Sequence, residues 1–243
     1  VFEVYTQATT VDLRMLYEGG IQQVDGVNVN DGYTYFTTLV TAGLFDSQGN
    51  GIEGGKAEYF TTEWLTLGTT DATGTATKEL LPVTYSFRMI YAGGSLDVAD
   101  QNTAIDPVVT FQTILVTVEL KDSQSNGLAG GEVRYKNKGW KDFGTTDANG
   151  QVTGELLPAT YTFEMKYAGG KQQIADWNTA EDPTVTFQTI EVTVELLDDQ
   201  GNGIPGGEAE YKTNGWQAFG TTDANGQAFK ELLPLTYSFR MYY

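Results

Sequence analysis

The sequence predicts an all-β protein, a tandem array of small β-sandwiches with a period of about 76 residues. Three observations carry that expectation. Long stretches recur, apolar and polar residues alternate within them, and turn-forming residues punctuate them at regular intervals. The string "TTDANGQVTGELLPATYTFEMKYAGG" at Thr145–Gly170 occurs earlier as "TTDATGTATKELLPVTYSFRMIYAGG" from Thr69. It returns from Thr221 as "TTDANGQAFKELLPLTYSFRMYY".

Each landmark keeps its spacing. Tyr85, Tyr161 and Tyr237 stand 76 residues apart, as do Trp64, Trp140 and Trp216, and Pro82, Pro158 and Pro234. A more diverged copy opens the chain: "VDLRMLYEGG" at Val11–Gly20 matches Tyr161–Gly170, with its first interval shortened to 74. Solenoid repeats run about 20 to 50 residues, so this period fits a small domain in tandem.

In "YTFEMKY", Tyr161, Phe163, Met165 and Tyr167 alternate with Thr162, Glu164 and Lys166, the period of a half-buried strand. The strand "VTVEL" turns Val116, Val118 and Leu120 inward, and Val192, Val194 and Leu196 repeat it. "DANG" at Asp147–Gly150 and Asp223–Gly226 marks hairpin turns, because Asn and Gly tolerate positive φ. "DDQGNGIPGG" at Asp198–Gly207 is a longer connection. Roughly seven strands per period indicate a sandwich. The expected division is a partial repeat over 1–42 (final strands only), complete repeats over 43–113 and 114–189, and a partial repeat over 190–243 (opening strands only).

Composition narrows function. Without cysteine or histidine there are no disulfides, Cys/His zinc sites, Ser-His-Asp triads or histidine switches. A formal charge of −18 disfavours nucleic acid, whose phosphates call for clustered Lys and Arg, and anionic membrane alike. No apolar run has transmembrane length. The chain opens on Val1 rather than Met, which reads as a processed or excised piece of an exported protein. Neither a catalytic group nor a cofactor site is expected.

The order "V-x-V-x-L-x-D-x-x-G" (from Val192), "TTDANG" (from Thr221) and "LLP-x-x-Y" (from Leu232) resembles the prealbumin-like, Ig-like sandwiches. That group includes the carboxypeptidase regulatory-like and Cna B-type domains of bacterial surface proteins. The resemblance covers both complete repeats and most of each partial one. It implies a stalk or spacer that carries an adhesive tip off a cell surface, a role the fold alone does not fix. Cna B-type domains often carry a Lys–Asn or Lys–Asp isopeptide bond promoted by a Glu. Glu79, Glu155 and Glu231 imitate the Glu, but the first strands, "VTVEL" at Val116 and Val192, hold no Lys and the last strands, "VTFQT" at Val109 and Val185, no Asn or Asp.

The junctions are stiff by sequence. "TVTFQTIEVTVELL" at Thr184–Leu197 and "VTFQTILVTVEL" at Val109–Leu120 join repeats with no flexible spacer, and "YFTTLVTAGLF" at Tyr35–Phe45 is their diverged counterpart. The candidate subunit or repeat junction is therefore Tyr35, Phe36, Phe111, Val116, Phe187, Val192 and Tyr243. The ends are out of phase with the repeats: Ile190–Tyr243 and Ile21–Ala42 together make one period. Two explanations stand. One is a window on a longer array. The other is head-to-tail assembly, in which the N-terminal strands of one copy complete the unfinished sandwich of the next. Against the latter, Val1–Tyr17 duplicates Gln227–Tyr243.

Trp64, Trp140 and Trp216 suit packing against neighbours such as Phe143 or Phe219, or stacking on sugar rings. Trp177, replaced by Gln101 in the preceding repeat, is the candidate surface-contact aromatic. The Asp-rich turns lack the ligand set of a calcium loop and read as ordinary turns. Outward threonines suit strands, and no Asn-x-Ser/Thr sequon occurs. Outward positions such as Arg88, Glu164 and Arg240 drift between repeats, which favours a spacer. The expected function is a non-catalytic extracellular stalk or fibre on a microbial surface whose partner is itself. The alternative is an adhesin whose repeats bind glycan or protein.

Overall fold

A computed structural model describes residues 9–243, all strands and turns, with no helix among the described residues. The duplicated segment at 1–8 lies outside them. The chain forms two compact units, divided between Thr113 and Ile114.

The first unit holds a hairpin, β1 (Thr10–Tyr17) and β2 (Gly20–Asn28), and one complete sandwich. That sandwich comprises β3 (Thr38–Phe45), β4 (Lys56–Phe60), β5 (Trp64–Thr69), β6 (Thr75–Leu80), β7 (Thr84–Tyr91), β8 (Gly94–Asn102) and β9 (Val108–Gln112). One sheet has the order β6-β3-β9 and the other β5-β4-β7-β8. The first and last strands, β3 and β9, run parallel, and the other pairs are antiparallel. β3 spans the expected boundary at 42/43, because Thr38–Gly43 pairs with β6 and buries Val40 and Ala42.

The second unit repeats this plan. β10 (Ile114–Lys121), β11 (Glu132–Lys136), β12 (Trp140–Thr145), β13 (Gln151–Leu156), β14 (Thr160–Tyr167), β15 (Gly170–Asn178) and β16 (Thr184–Gln188) form sheets β13-β10-β16 and β12-β11-β14-β15. A further, smaller sandwich follows: β17 (Ile190–Glu195), β18 (Glu208–Lys212), β19 (Trp216–Thr221), β20 (Gln227–Leu232) and β21 (Ser238–Tyr242). Its sheets are β17-β20 and β19-β18-β21.

The alternating residues fill the space between the sheets. Val116, Val118 and Leu120 on β10 and Tyr161, Phe163 and Met165 on β14 are all fully or almost fully buried. Burying one such side chain contributes roughly 1.5–3 kcal/mol. Tyr135 and Tyr161 meet edge to face at 5.8 Å, as Tyr59 and Tyr85 do at 5.7 Å and Tyr211 and Tyr237 at 5.8 Å.

The structure also accounts for the recurring polar letters. The second Thr of "TTD" is buried in each copy. The Thr146 hydroxyl accepts the Gly131 N–H and donates to the Leu128 carbonyl, both at 2.8 Å. Thr70 and Thr222 do the same with Gly55 and Ile52, and with Gly207 and Ile204. This one hydroxyl ties the loop after the first strand to the hairpin. In "LLP-x-T-Y" the tyrosine hydroxyl returns to the leucine carbonyl four residues upstream: Tyr161 to Leu157 at 2.9 Å, Tyr85 to Leu81 and Tyr237 to Leu233.

Among the described residues, β17 of the C-terminal sandwich has no parallel neighbour such as β10 has in β16, and β21 none such as β14 has in β15. Its core is correspondingly open. Phe239 is 42% exposed, whereas its counterparts Phe87 and Phe163 are 0% exposed.

Candidate functional site: the joint between sandwiches

The turn after each "MxY" strand is tight. In the first hairpin Glu18 and Gly19 have φ of 48° and 72°, and in the second unit Ala168 and Gly169 have 47° and 74°. Two successive left-handed residues match the twist of a two-residue hairpin. Within each unit the turn at 18–20 or 168–170 also seats against the sandwich that follows, and its second Gly is buried there.

In the first unit the Tyr59 hydroxyl donates to the Glu18 carbonyl at 3.1 Å, and Lys78 pairs with the Glu18 carboxylate at 3.1 Å. A Cβ on Gly19 would lie 2.8 Å from Thr61 Oγ1, and one on Gly20 would lie 2.2 Å from the Tyr85 hydroxyl. In the second unit the Tyr211 hydroxyl donates to the Ala168 carbonyl at 2.9 Å. A Cβ on Gly169 would meet Gln217 Nε2 at 2.4 Å, and one on Gly170 the Tyr237 hydroxyl at 2.7 Å. The same turn thus meets the equivalent tyrosines in both units. Burial pushes the hydroxyls of Tyr59 and Tyr85 up to about 12, with the charge of Glu18 adding to Tyr59.

A second contact fastens the joint within the second unit. The Glu231 carboxylate accepts from the Ser123 N–H at 3.2 Å, and from the hydroxyls of Ser123 and Thr189. Thr189 is the single residue between β16 and β17, and its N–H donates to the Lys121 carbonyl at 2.8 Å. The link between the two sandwiches is therefore itself held at both faces. Burial, and then the charge of Glu231, raises the Tyr167 hydroxyl above its ordinary value.

The junction residues named from sequence fall in different places. Phe111, Val116 and Phe187 are core residues of their own sandwiches. Val192 is half-buried in the open C-terminal sandwich. Tyr35 is half-buried, Phe36 is 72% exposed and Tyr243 is 85% exposed. Gly169, Gly170, Tyr211, Gln217 and Glu231, which do form the joint, went unread as contacts. Their signal was the "YAGG" string, whose second Gly exceeds what a hairpin turn needs.

The tryptophans do not pair with Phe143 or Phe219. Trp140 and Phe143 are three apart on a strand of period two, so they fall on opposite faces. Phe143 meets Tyr135 and Phe163, and Phe219 meets Tyr211 and Phe239. Outside, cations cover the indoles: the Arg88 guanidinium lies 4.0 Å from the Trp64 ring centre, Arg240 4.2 Å from Trp216, and Lys136 5.0 Å from Trp140. The Trp177 indole N–H donates to the Asp182 carbonyl at 2.8 Å, where Gln101 donates to Asp106 at 2.9 Å. Both side chains close the same loop.

One row on this outer face links the centre strands. Glu58 faces Arg88, Arg134 faces Glu164, and Glu210 faces Arg240, always at the same register position. Their apparent drift is an exchange of signs between partners.

The acidic turns close on themselves. Asp46, Asp122 and Asp198 each accept two backbone N–H groups and the side-chain amide of Asn50, Asn126 or Asn202. Those amides are the largest cause holding the three carboxyls below their ordinary value. The Thr73 hydroxyl does so for Asp71, and the backbone N–H groups of Gln151 and Gln227 for Asp147 and Asp223. A depressed folded value contributes stability that is complete above the unfolded value, about 4, and is lost as pH falls through the folded one. The melting temperature is therefore expected to hold from neutral pH to about 5 and to drop below about 4. Asn at these six positions should flatten that acid limb in thermal melts, and an unchanged limb would refute the assignment.

The fold and joints define a class, tandem β-sandwich repeats. No family model matches the chain, and no curated protein does. Among solved structures, it is similar to the Bacillus anthracis TIE protein at 16% identity and a TM-score of 0.26, over 86% of this chain and 46% of that one. It is similar to a streptococcal ancillary pilin at 12% identity and a TM-score of 0.26, over 84% and 90% of the two chains. A third is the shaft pilin SpaA of Lactobacillus rhamnosus GG, at 11% identity and a TM-score of 0.27, over 63% and 97%.

Proposed function

We propose that the chain is a non-catalytic structural element of a microbial surface, a stiff array of sandwiches in a stalk or fibre. The observation that carries this is the joint: the "GG" turn meets the same tyrosine positions in both units, and in the second unit a single residue links the two sandwiches. Such a joint resists bending, and a spacer is the role that gains from it.

The open C-terminal sandwich supports a finer reading, in which a second copy completes it. The strands it lacks correspond to β2 and to the segment at Tyr33–Phe36, which exposes Tyr33 and Phe36. β1 repeats β21 as well, with Leu13, Arg14 and Met15 at the places of Phe239, Arg240 and Met241. An incoming hairpin can therefore take the place of β21 beside β18, setting Arg14 opposite Glu210. Strand addition uses the free backbone groups of an open edge, and a repeated head-to-tail contact generates a fibre.

Negative-stain electron microscopy with subunit mass measured on the same sample tests this. Fibres built from chains of this mass, lost on deletion of residues 1–37, which stops short of β3, are the expected result. Short monomeric rods would sink the assembly step and leave the spacer reading.

A further inference from the structure

We infer that the outward charge pair between the two centre strands is a pairing key, which keeps the middle sandwich from exchanging strands with the sandwiches on either side. This goes beyond the assembly reading and does not depend on it.

The need arises from the repeats themselves. Phe87, Phe163 and Phe239, and likewise Met89, Met165 and Met241, sit at equivalent inward positions. An exchanged strand would bury the same apolar face, so the core cannot tell a strand from its neighbour's copy. Misassembly between domains is a characteristic failure of such arrays. Discrimination then falls to the outer face.

The first sandwich pairs Glu58 with Arg88, the middle one reverses the signs with Arg134 and Glu164, and the last restores them with Glu210 and Arg240. Placing β14 beside β4 would set Glu164 against Glu58 and, two residues on, Lys166 against Lys56. Placing β7 or β21 beside β11 would set Arg88 or Arg240 against Arg134. β14 beside β18 would set Glu164 against Glu210. Every exchange with the middle sandwich thus brings like charges directly opposite, which destabilises a strand pair. The side chains of Glu58 and Glu164 are only 12% and 10% exposed, so water screens the repulsion poorly.

The native pairs are supported by neighbours that fit their sign. Arg88 makes two bonds of 2.7 Å to Asp97, Arg134 pairs with Asp142 at 3.2 Å, and Gln173 donates to Glu164 at 2.7 Å. Arg240 pairs with Glu210.

The test gives the middle sandwich the outer key. Arg134→Glu with Glu164→Arg exchanges the pair. Asp142→Ala, copying Ala218, removes the charge that would otherwise oppose the new carboxylate at position 134. All three sandwiches would share one key. After rapid dilution from denaturant at low salt, the misassembled fraction is read by size-exclusion chromatography and by energy transfer between differently labelled chains. A rise of about three- to tenfold over the unaltered protein is expected, equivalent to a change of one exchanged pair from like to opposite charge. An unchanged fraction overturns the inference. If the triple variant does not fold, a second one decides: Glu210→Arg with Arg240→Glu gives the last sandwich the middle key, at a position faced by Ala218 on the neighbouring strand. Its misassembled fraction should rise in the same way, and an unchanged fraction overturns the inference too.

Discussion

Valine at both Gly169 and Gly170 is expected to release the joint of the second unit while leaving each sandwich folded. Gly169 has φ of 74°, where a β-branched side chain costs about 1–2 kcal/mol. Its Cβ would also fall 2.4 Å from Gln217 Nε2, and that of residue 170 would fall 2.7 Å from the Tyr237 hydroxyl. Overpacking adds about 1–3 kcal/mol. The turn would withdraw, breaking the Tyr211–Ala168 hydrogen bond. The backbone strain stays with the hairpin whether the joint is open or closed, so only the overpacking acts on the joint, raising the open population about five- to a hundredfold. Limited proteolysis at the Gln188–Ile190 link should accelerate accordingly. Alanine at Gly139, which has no atom within 4 Å of the added Cβ, is the matched control. Equal cleavage rates for the two would show that the turn does not hold the joint.

Gly127→Ala is expected to destabilise its sandwich more than any other single alanine in the loops. The new Cβ would lie 2.0 Å from the Asn149 carbonyl oxygen and 2.2 Å from its carbon. Those are backbone atoms, held by the turn from Asp147 to Gln151, and they cannot rotate aside. A cost above about 3 kcal/mol is expected in denaturant unfolding, in the class of severe overpacking. Gly130→Ala separates sterics from backbone strain. Gly130 has φ of 86° but nothing within 4 Å, so about 1–2 kcal/mol is expected there. The reverse order would mean that the loops are not packed backbone to backbone.

Much of the fold was legible because burial writes itself as alternation. Val116, Val118 and Leu120, or Tyr161, Phe163 and Met165, announce a strand and its inward face without reference to any partner. The joint was harder to read. "YAGG" already has a sufficient reason to exist as a hairpin turn, and nothing local says that Gly170 is small for the sake of Tyr237, 67 residues on. The charge pair was hidden for the same reason. Arg88, Glu164 and Arg240 look like drift until each is set beside the residue facing it on another strand, 30 positions earlier. The boundary near residue 42 slipped because "TTLVTAGLF" is both the end of one pattern and the start of the next, and only pairing with β6 assigns it.

The parallel pairing of first and last strands has a mechanical consequence. In a complete sandwich β10 leads the chain in and β16 leads it out, side by side and in the same direction across five paired positions. Tension applied along the chain pulls these two strands past each other lengthwise. Their hydrogen bonds then carry the load in shear, all at once, instead of parting one at a time as in an unzipping hairpin. β3 and β9 repeat the arrangement. Each complete sandwich is thus closed by a clamp aligned with the pull it would bear.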